Sequence, residues 1–164
     1  MKKILLCLCA LLAVSLQAAP PNILLITVDD IDQTVAEVRW LREHDVHGGI
    51  VLPVDTNGQP YYNHPRYEPL WAVCEDLRMP VHTHSGWTPN YGNLPGSLGI
   101  FLYEIGWFAH RPFHHLIWSG AFERHPELSF VMTEQGVGWI VPALLVVVLI
   151  ATGRFRPARN IAET

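Results

Sequence analysis

Four short apolar runs, each ending in polar residues and separated by stretches of helical spacing, constrain this chain most. "NILLITVDD" (22–30), the run 50–54, the run 80–84 and "ELSFVMTEQG" (127–136) each read as a strand. Between the first two, Val35, Val38 and Leu41, with Trp40 beside them, make one apolar stripe of a helix over 32–44. After Pro69, which suits a first helical turn, Leu70, Trp71, Cys74 and Leu77 line one face up to Arg78. "LGIFLYEIGWFAH" and "RPFHHLIWSGAFERHP" read as two further helices before the last strand. Such alternation predicts a parallel α/β sheet. In parallel folds the chemistry collects at the C-terminal ends of strands. Asp29, Asp30, Asp55, His82, His84 and Glu134 stand there.

"MPVHTHSG" puts His82 and His84 two residues apart, so both point to one face of a strand. That spacing permits a shared metal, and equally permits two hydrogen-bonded histidines at a strand end. The histidines number nine and avoid both ends of the chain. The long loop "SGWTPNYGNLPGS" carries Trp87 and Tyr91, candidates for a pocket wall, and His115 is a further candidate near a helix start.

Charged residues make up only 16% of the chain against about 25% in an average protein, and the formal net charge is −4. Lys and Arg cluster only in "GRFRPAR" near the C-terminus, which argues against nucleic-acid binding. Lys2, Lys3 and the apolar "ILLCLCALLAVSL" have the form of an export signal over residues 1–19, a buried N-terminal helix being the alternative. A used signal would send the chain to the periplasm or outside the cell. Removing it would leave Cys74 as the one cysteine, without an intramolecular disulfide. Residues 139–153 are apolar around Pro142 and read as a short membrane span or as a buried element. The organisation expected is therefore a signal over 1–19, a body over 22–145, and an apolar then basic tail over 146–164.

Two resemblances follow from these residues. The opening "PNILLITVDD" after a signal-like run resembles a secreted sulfatase, in which the positions of Asp29 and Asp30 would help bind a divalent cation. That family's nucleophile lies in a C-x-P-x-R pattern; the nearest stretch, Cys74 to Arg78, has Asp76 in place of the proline. The second resemblance is more specific. "EVRWLREHDVHGGIVLPVD", "YYNHPRYEPLWAVCEDLRMPVHTHSG" and "FHHLIWSGAFERHPELSFVMTEQGVGWI" resemble the amidohydrolase-related family, in the branch that contains aminocarboxymuconate-semialdehyde decarboxylase.

This second resemblance implies an α/β fold, here a partial (β/α)₈ TIM barrel with parallel strands. It implies a metal-dependent hydrolase or carbon–carbon lyase, decarboxylase-like, acting on a small organic acid. The cofactor would be a divalent metal, zinc foremost, or manganese or iron. His84 falls at a metal-ligand position, His82 at a non-ligand neighbour, and Glu134 at a catalytic strand-end position where a carboxylate could move a proton. A whole barrel needs about 250 residues, and the resemblance covers 32–145. "ITVDD" stands where the family's first-strand H-x-H should be, so the ligand set is expected to be incomplete. One imidazole alone would not retain a cation; Asp29 or Asp30 could substitute only by position. Two open sheet edges would favour homo-oligomers. An exported or membrane-tethered non-enzymatic remnant and a truncated sulfatase-like hydrolase are the competing readings.

Overall fold

The computed structural model describes residues 23–25 and 30–154. The segments 1–19 and 155–164, and Asp29, lie outside the described residues. Four strands form one sheet: β1 (Ile23–Leu25), β2 (Gly49–Leu52), β3 (Val81–His84) and β4 (Phe130–Thr133). They lie in chain order, β1-β2-β3-β4, and every pairing is parallel. A strand order that never reverses, joined by crossovers of one hand, places the connecting helices on one face of the sheet. This is the pattern of a barrel wall rather than of a doubly wound sheet. Six α-helices and one 3₁₀ turn (Pro65–Tyr67) complete the described chain: α1 (Ile31–Glu43), α2 (Glu68–Asp76), α3 (Ser97–Ala109), α4 (Arg111–Trp118), α5 (Ala121–Arg124) and α6 (Ile140–Ala151).

Asp30 starts α1: its backbone is extended and its carboxylate accepts from Gln33 N at 3.1 Å. Thr34, Val38 and Leu41 are the buried face of α1, whereas Trp40 lies outside that core and stacks on His44 with ring centroids 4.0 Å apart. The helices α1 and α2 end alike. Asp45 (φ 60°) and Arg78 (φ 49°) adopt the left-handed conformation. The next amides, of Val46 and Met79, bond back to the carbonyls of Leu41 (2.9 Å) and Cys74 (2.8 Å). These Schellman-type turns satisfy end carbonyls and send the chain into the next strand. The run 111–126 is not one helix: it breaks at Gly120 (φ 73°), giving α4 and α5.

Ile50 pairs with Val81 and Val81 with Phe130, and this row faces the helices. Ile50, Leu52 and Val81 are buried there with Val38, Leu41, Leu70, Trp71 and Leu116. Tyr62, Tyr67 and Trp71 form an aromatic trio at the α2 side, with centroids 5.0–6.1 Å apart. The opposite row, Val51, His82 and Val131, would be the inside of a closed barrel. Here it is open, and Val131 is 40% exposed.

The apolar segment 139–153 is neither a buried element nor long enough to cross a membrane. It forms α6, whose 12 residues include none that is buried. At 1.5 Å per residue such a helix spans about 18 Å, short of the ~30 Å hydrocarbon core. Among the described residues no helix is long and apolar enough to span a bilayer.

An ionic clamp ties α2 to the turn before β4. Arg124 binds Glu68 through both Nε and Nη2. His125 Nδ1 lies 2.9 Å from Glu75 Oε2 and its Nε2 lies 3.1 Å from Glu68 Oε2, and Glu127 N donates to Glu75 at 2.8 Å. The Arg124 hydrogen bond holds the Glu68 carboxyl below the usual glutamate range; the Glu127 amide, then His125, do the same for Glu75. Each carboxyl thus binds its proton more weakly folded than unfolded. Their stabilisation is full above the unfolded value of about 4.3 and is lost as pH falls through the lower folded values. The urea midpoint should therefore drop as pH falls below about 5. A Glu68→Gln/Glu75→Gln variant should be less stable at neutral pH and show a flatter acid limb; equally steep limbs would contradict the clamp.

Candidate functional site

The C-terminal ends of β3 and β4 bring His84 and Glu134 together. His84 pairs in register with Thr133, and Glu134 is the next residue. Strict alternation would turn Glu134 to the helix-facing side with Met132. Its backbone is instead left-handed (φ 57°), a conformation that is costly for a residue with a Cβ. The turn carries the carboxylate round to His84, with Nε2 to Oε2 3.3 Å. Both side chains are open to solvent, Glu134 at 72%. His84 Nδ1 meets the carbonyl of Ser85, while its Nε2 faces the Glu134 carboxylate.

His82 shares the open face but points elsewhere. Its Nε2 donates to Gly48 O at 2.8 Å, toward the N-terminal end of the sheet. A Cβ on Gly49 (φ 118°) would lie 2.6 Å from the His82 ring and 2.4 Å from Pro80 O, so Gly48-Gly49 is the seat of this imidazole. The two histidines of "HTH" are thus neighbours without a common ligand.

A cleft of about 440 Å³ opens beside His84, lined also by Val51, Val54, Asp55 and Trp87. Trp87 is held edge-on to Phe108, centroids 5.2 Å apart, whereas Tyr91 donates its hydroxyl to Glu104. Asp30 caps α1, which commits its carboxylate to the Gln33 amide. His115 lies against Tyr61, and burial, then Arg111, pushes its pKa down to about 4. Cys74, in the stretch nearest to the sulfatase pattern, is buried in the core, and burial pushes its thiol up to about 12.

Among the described residues no group of three or more His, Cys, Asp and Glu converges as a metal site. His84 and Glu134 offer an imidazole and a carboxylate, fewer than the three protein ligands of catalytic zinc sites. On their own these residues do not fit a retained cation.

Two buried groups escaped the sequence reading. His110 Nε2 donates to Gln135 O at 2.7 Å, and Gln135 Nε2 donates to Thr83 Oγ1 at 2.7 Å. The only available signal was adjacency: Gln135 follows Glu134, and successive residues at a strand end serve opposite faces.

A parallel sheet wound in one direction, with its strands in chain order, is part of the wall of a (β/α)₈ barrel. The chain belongs to the amidohydrolase family, which matches residues 9–153. That match takes in β1, so the sulfatase resemblance of the opening finds no support.

Among curated proteins, a gamma-resorcylate decarboxylase of Rhodococcus jostii is 37% identical over 101 residues, covering 56% of this chain and 29% of its own length. The decarboxylase orsB of Emericella nidulans is 26% identical over 117 residues, covering 65% of this chain and 33% of its own. Of solved structures, an amidohydrolase from Mycobacterium avium subsp. paratuberculosis superposes with TM-score 0.60 at 18% identity, covering 82% of this chain and 37% of that one. A 2,6-dihydroxybenzoate decarboxylase complexed with 2,6-dihydroxybenzoate gives 0.59 at 18% identity, over 85% and 46%. The chain spans about a third of the length of the curated relatives it matches.

Proposed function

We propose that this chain carries part of the site of a decarboxylase-type carbon–carbon lyase acting on a small aromatic carboxylic acid, with His84 as a metal-ligand position and Glu134 as the group that moves the proton. The approach of His84 Nε2 to Glu134 Oε2, 3.3 Å, carries this reading. Decarboxylation of an aromatic acid replaces a carboxylate by hydrogen on the same carbon, releasing CO2 and taking up one proton. Glu134, which meets His84 at the edge of the cleft walled also by Trp87 and Val51, would supply that proton. The names of the curated relatives favour a lyase over a hydrolase.

The family implies a divalent cation, zinc, manganese or iron, with His84 at a ligand position. The remaining ligands would have to come from outside the described set. A weak site is filled by mass action, so turnover is assayed with excess zinc in the buffer. Release of CO2 from 2,6-dihydroxybenzoate is the expected result. Absence of any turnover in zinc, manganese or iron would sink the reading for this chain.

The open inner face and the exposed side chains of α6 also favour self-association. Sedimentation velocity should show dimers or larger species growing with concentration, and a monomer at every concentration would contradict this.

A further inference from the structure

We propose that His114 and His115 form a proton-operated latch at the start of α4: with both rings neutral, this end of the helix is seated against Trp139, which precedes α6, and against Tyr61, and in mild acid it lets go. The latch is separate from the His84 cleft, whose lining includes neither ring. The His114 ring centroid lies 5.7 Å from that of Trp139, Phe113 meets the same indole at 5.1 Å, and His115 lies 5.0 Å from Tyr61. His110, just before α4, completes the seat: it is 5.6 Å from Trp139, and its Nε2 lies 2.7 Å from the carbonyl oxygen of Gln135. The helix α6 itself buries no residue, so the packing of Trp139 on α4 ties its start to the helix layer.

Each of the two rings has one nitrogen sealed from water and without a hydrogen-bond partner: Nε2 in His114 and Nδ1 in His115. A neutral imidazole can leave a bare nitrogen in such a place. An imidazolium carries N–H on both nitrogens, so its sealed nitrogen becomes a buried donor with no acceptor. The neighbours do not offset this. Among the described residues no carboxylate pairs with His110, His114 or His115. Arg111 stands beside His115, and the His110 ring is 6.1 Å from that of His114. Tyr61 faces His115 from the β2–α2 loop, and Trp139 and Gln135 bring no charge from the β4 side. Glu104 of α3 lines a cavity together with His110, and its carboxylate is engaged by the Tyr91 hydroxyl. Burial, then His110, accordingly holds the His114 pKa below the ordinary histidine value, as burial does for His115.

Both rings thus bind a proton more weakly seated than released. The seated state is full above the free histidine value of about 6.5 and is lost as pH falls below it, for His115 down to about 4. The Glu68–Glu75 clamp weakens only below about pH 5, so a measurement at about pH 5.5 separates the two effects. Hydrogen exchange of the full chain, read by mass spectrometry on peptides from α4 and from residues 136–144, tests the latch. Protection factors, which remove the intrinsic pH dependence of exchange, should fall between about pH 7.5 and 5.5 by about tenfold for each ring that takes up a proton on release. The double variant His114→Phe/His115→Phe keeps two flat rings that cannot be protonated, and its protection should be the same at both pH values. Native protection that does not change, or a fall that persists undiminished in the double variant, overturns the proposal. Should the double variant not fold, ring-proton NMR of the native chain decides. A histidine titrating below about pH 5 supports the latch, and all nine rings titrating together near 6.5 would overturn it.

Discussion

Glu134→Gln should lower CO2 release from 2,6-dihydroxybenzoate, measured with excess zinc, by about 10²- to 10⁴-fold. Glutamine keeps the size of the side chain and its ability to accept from His84 Nε2, but it cannot hold or give up a proton at neutral pH. Glu134 is exposed and joins no core contact, so the variant's urea midpoint should move little. One structural term remains, the left-handed backbone at φ 57°, and glutamine bears it as glutamate does. An undiminished rate would remove Glu134 from the chemistry. A lost rate with a lost fold would make the residue structural.

Trp71→Ala is expected to cost about 3–5 kcal/mol of stability, enough to unfold much of the population of an ordinary domain. Trp71 is 1% exposed and is the largest of the fully buried side chains. Its ring lies 6.1 Å from both Tyr62 and Tyr67, and the hydroxyl of Tyr62 reaches back to Pro53 O at the end of β2. Removing the indole therefore opens a cavity where α2 packs on the sheet. The loop that links β2 to α2 would lose its anchor as well. A denaturation midpoint close to that of the parent chain would show that the aromatic trio is not the keystone of this core.

Much of the scaffold is legible because periodicity reports burial directly. Val38 and Leu41 announced the inner face of α1, and Leu70, Trp71 and Cys74 that of α2. His84 and Glu134, fifty residues apart, could be paired because parallel strands bring their C-termini together. What the residues hid was backbone geometry. Nothing in "TEQG" says that Glu134 is left-handed, since a side chain with a Cβ disfavours that conformation. Nothing in "WSGAF" except Gly120 says that one helix becomes two. Trp40 has the hydrophobicity of the stripe but the wrong angular position, so it stacks on His44 at the surface. The apolar run at 139–153 reads as a short span or a buried element because hydropathy measures preference for leaving water, and a helix can be left uncovered by its own chain.

His84 and Glu134 sit together on an open barrel face, and among the described residues they lack the companions that would keep a cation. Zinc content after loading and exhaustive buffer exchange tests it most directly. Well under one ion per chain is expected, because two donors fall short of the three a catalytic site uses. One tightly held zinc per chain, lost in His84→Ala, would contradict it.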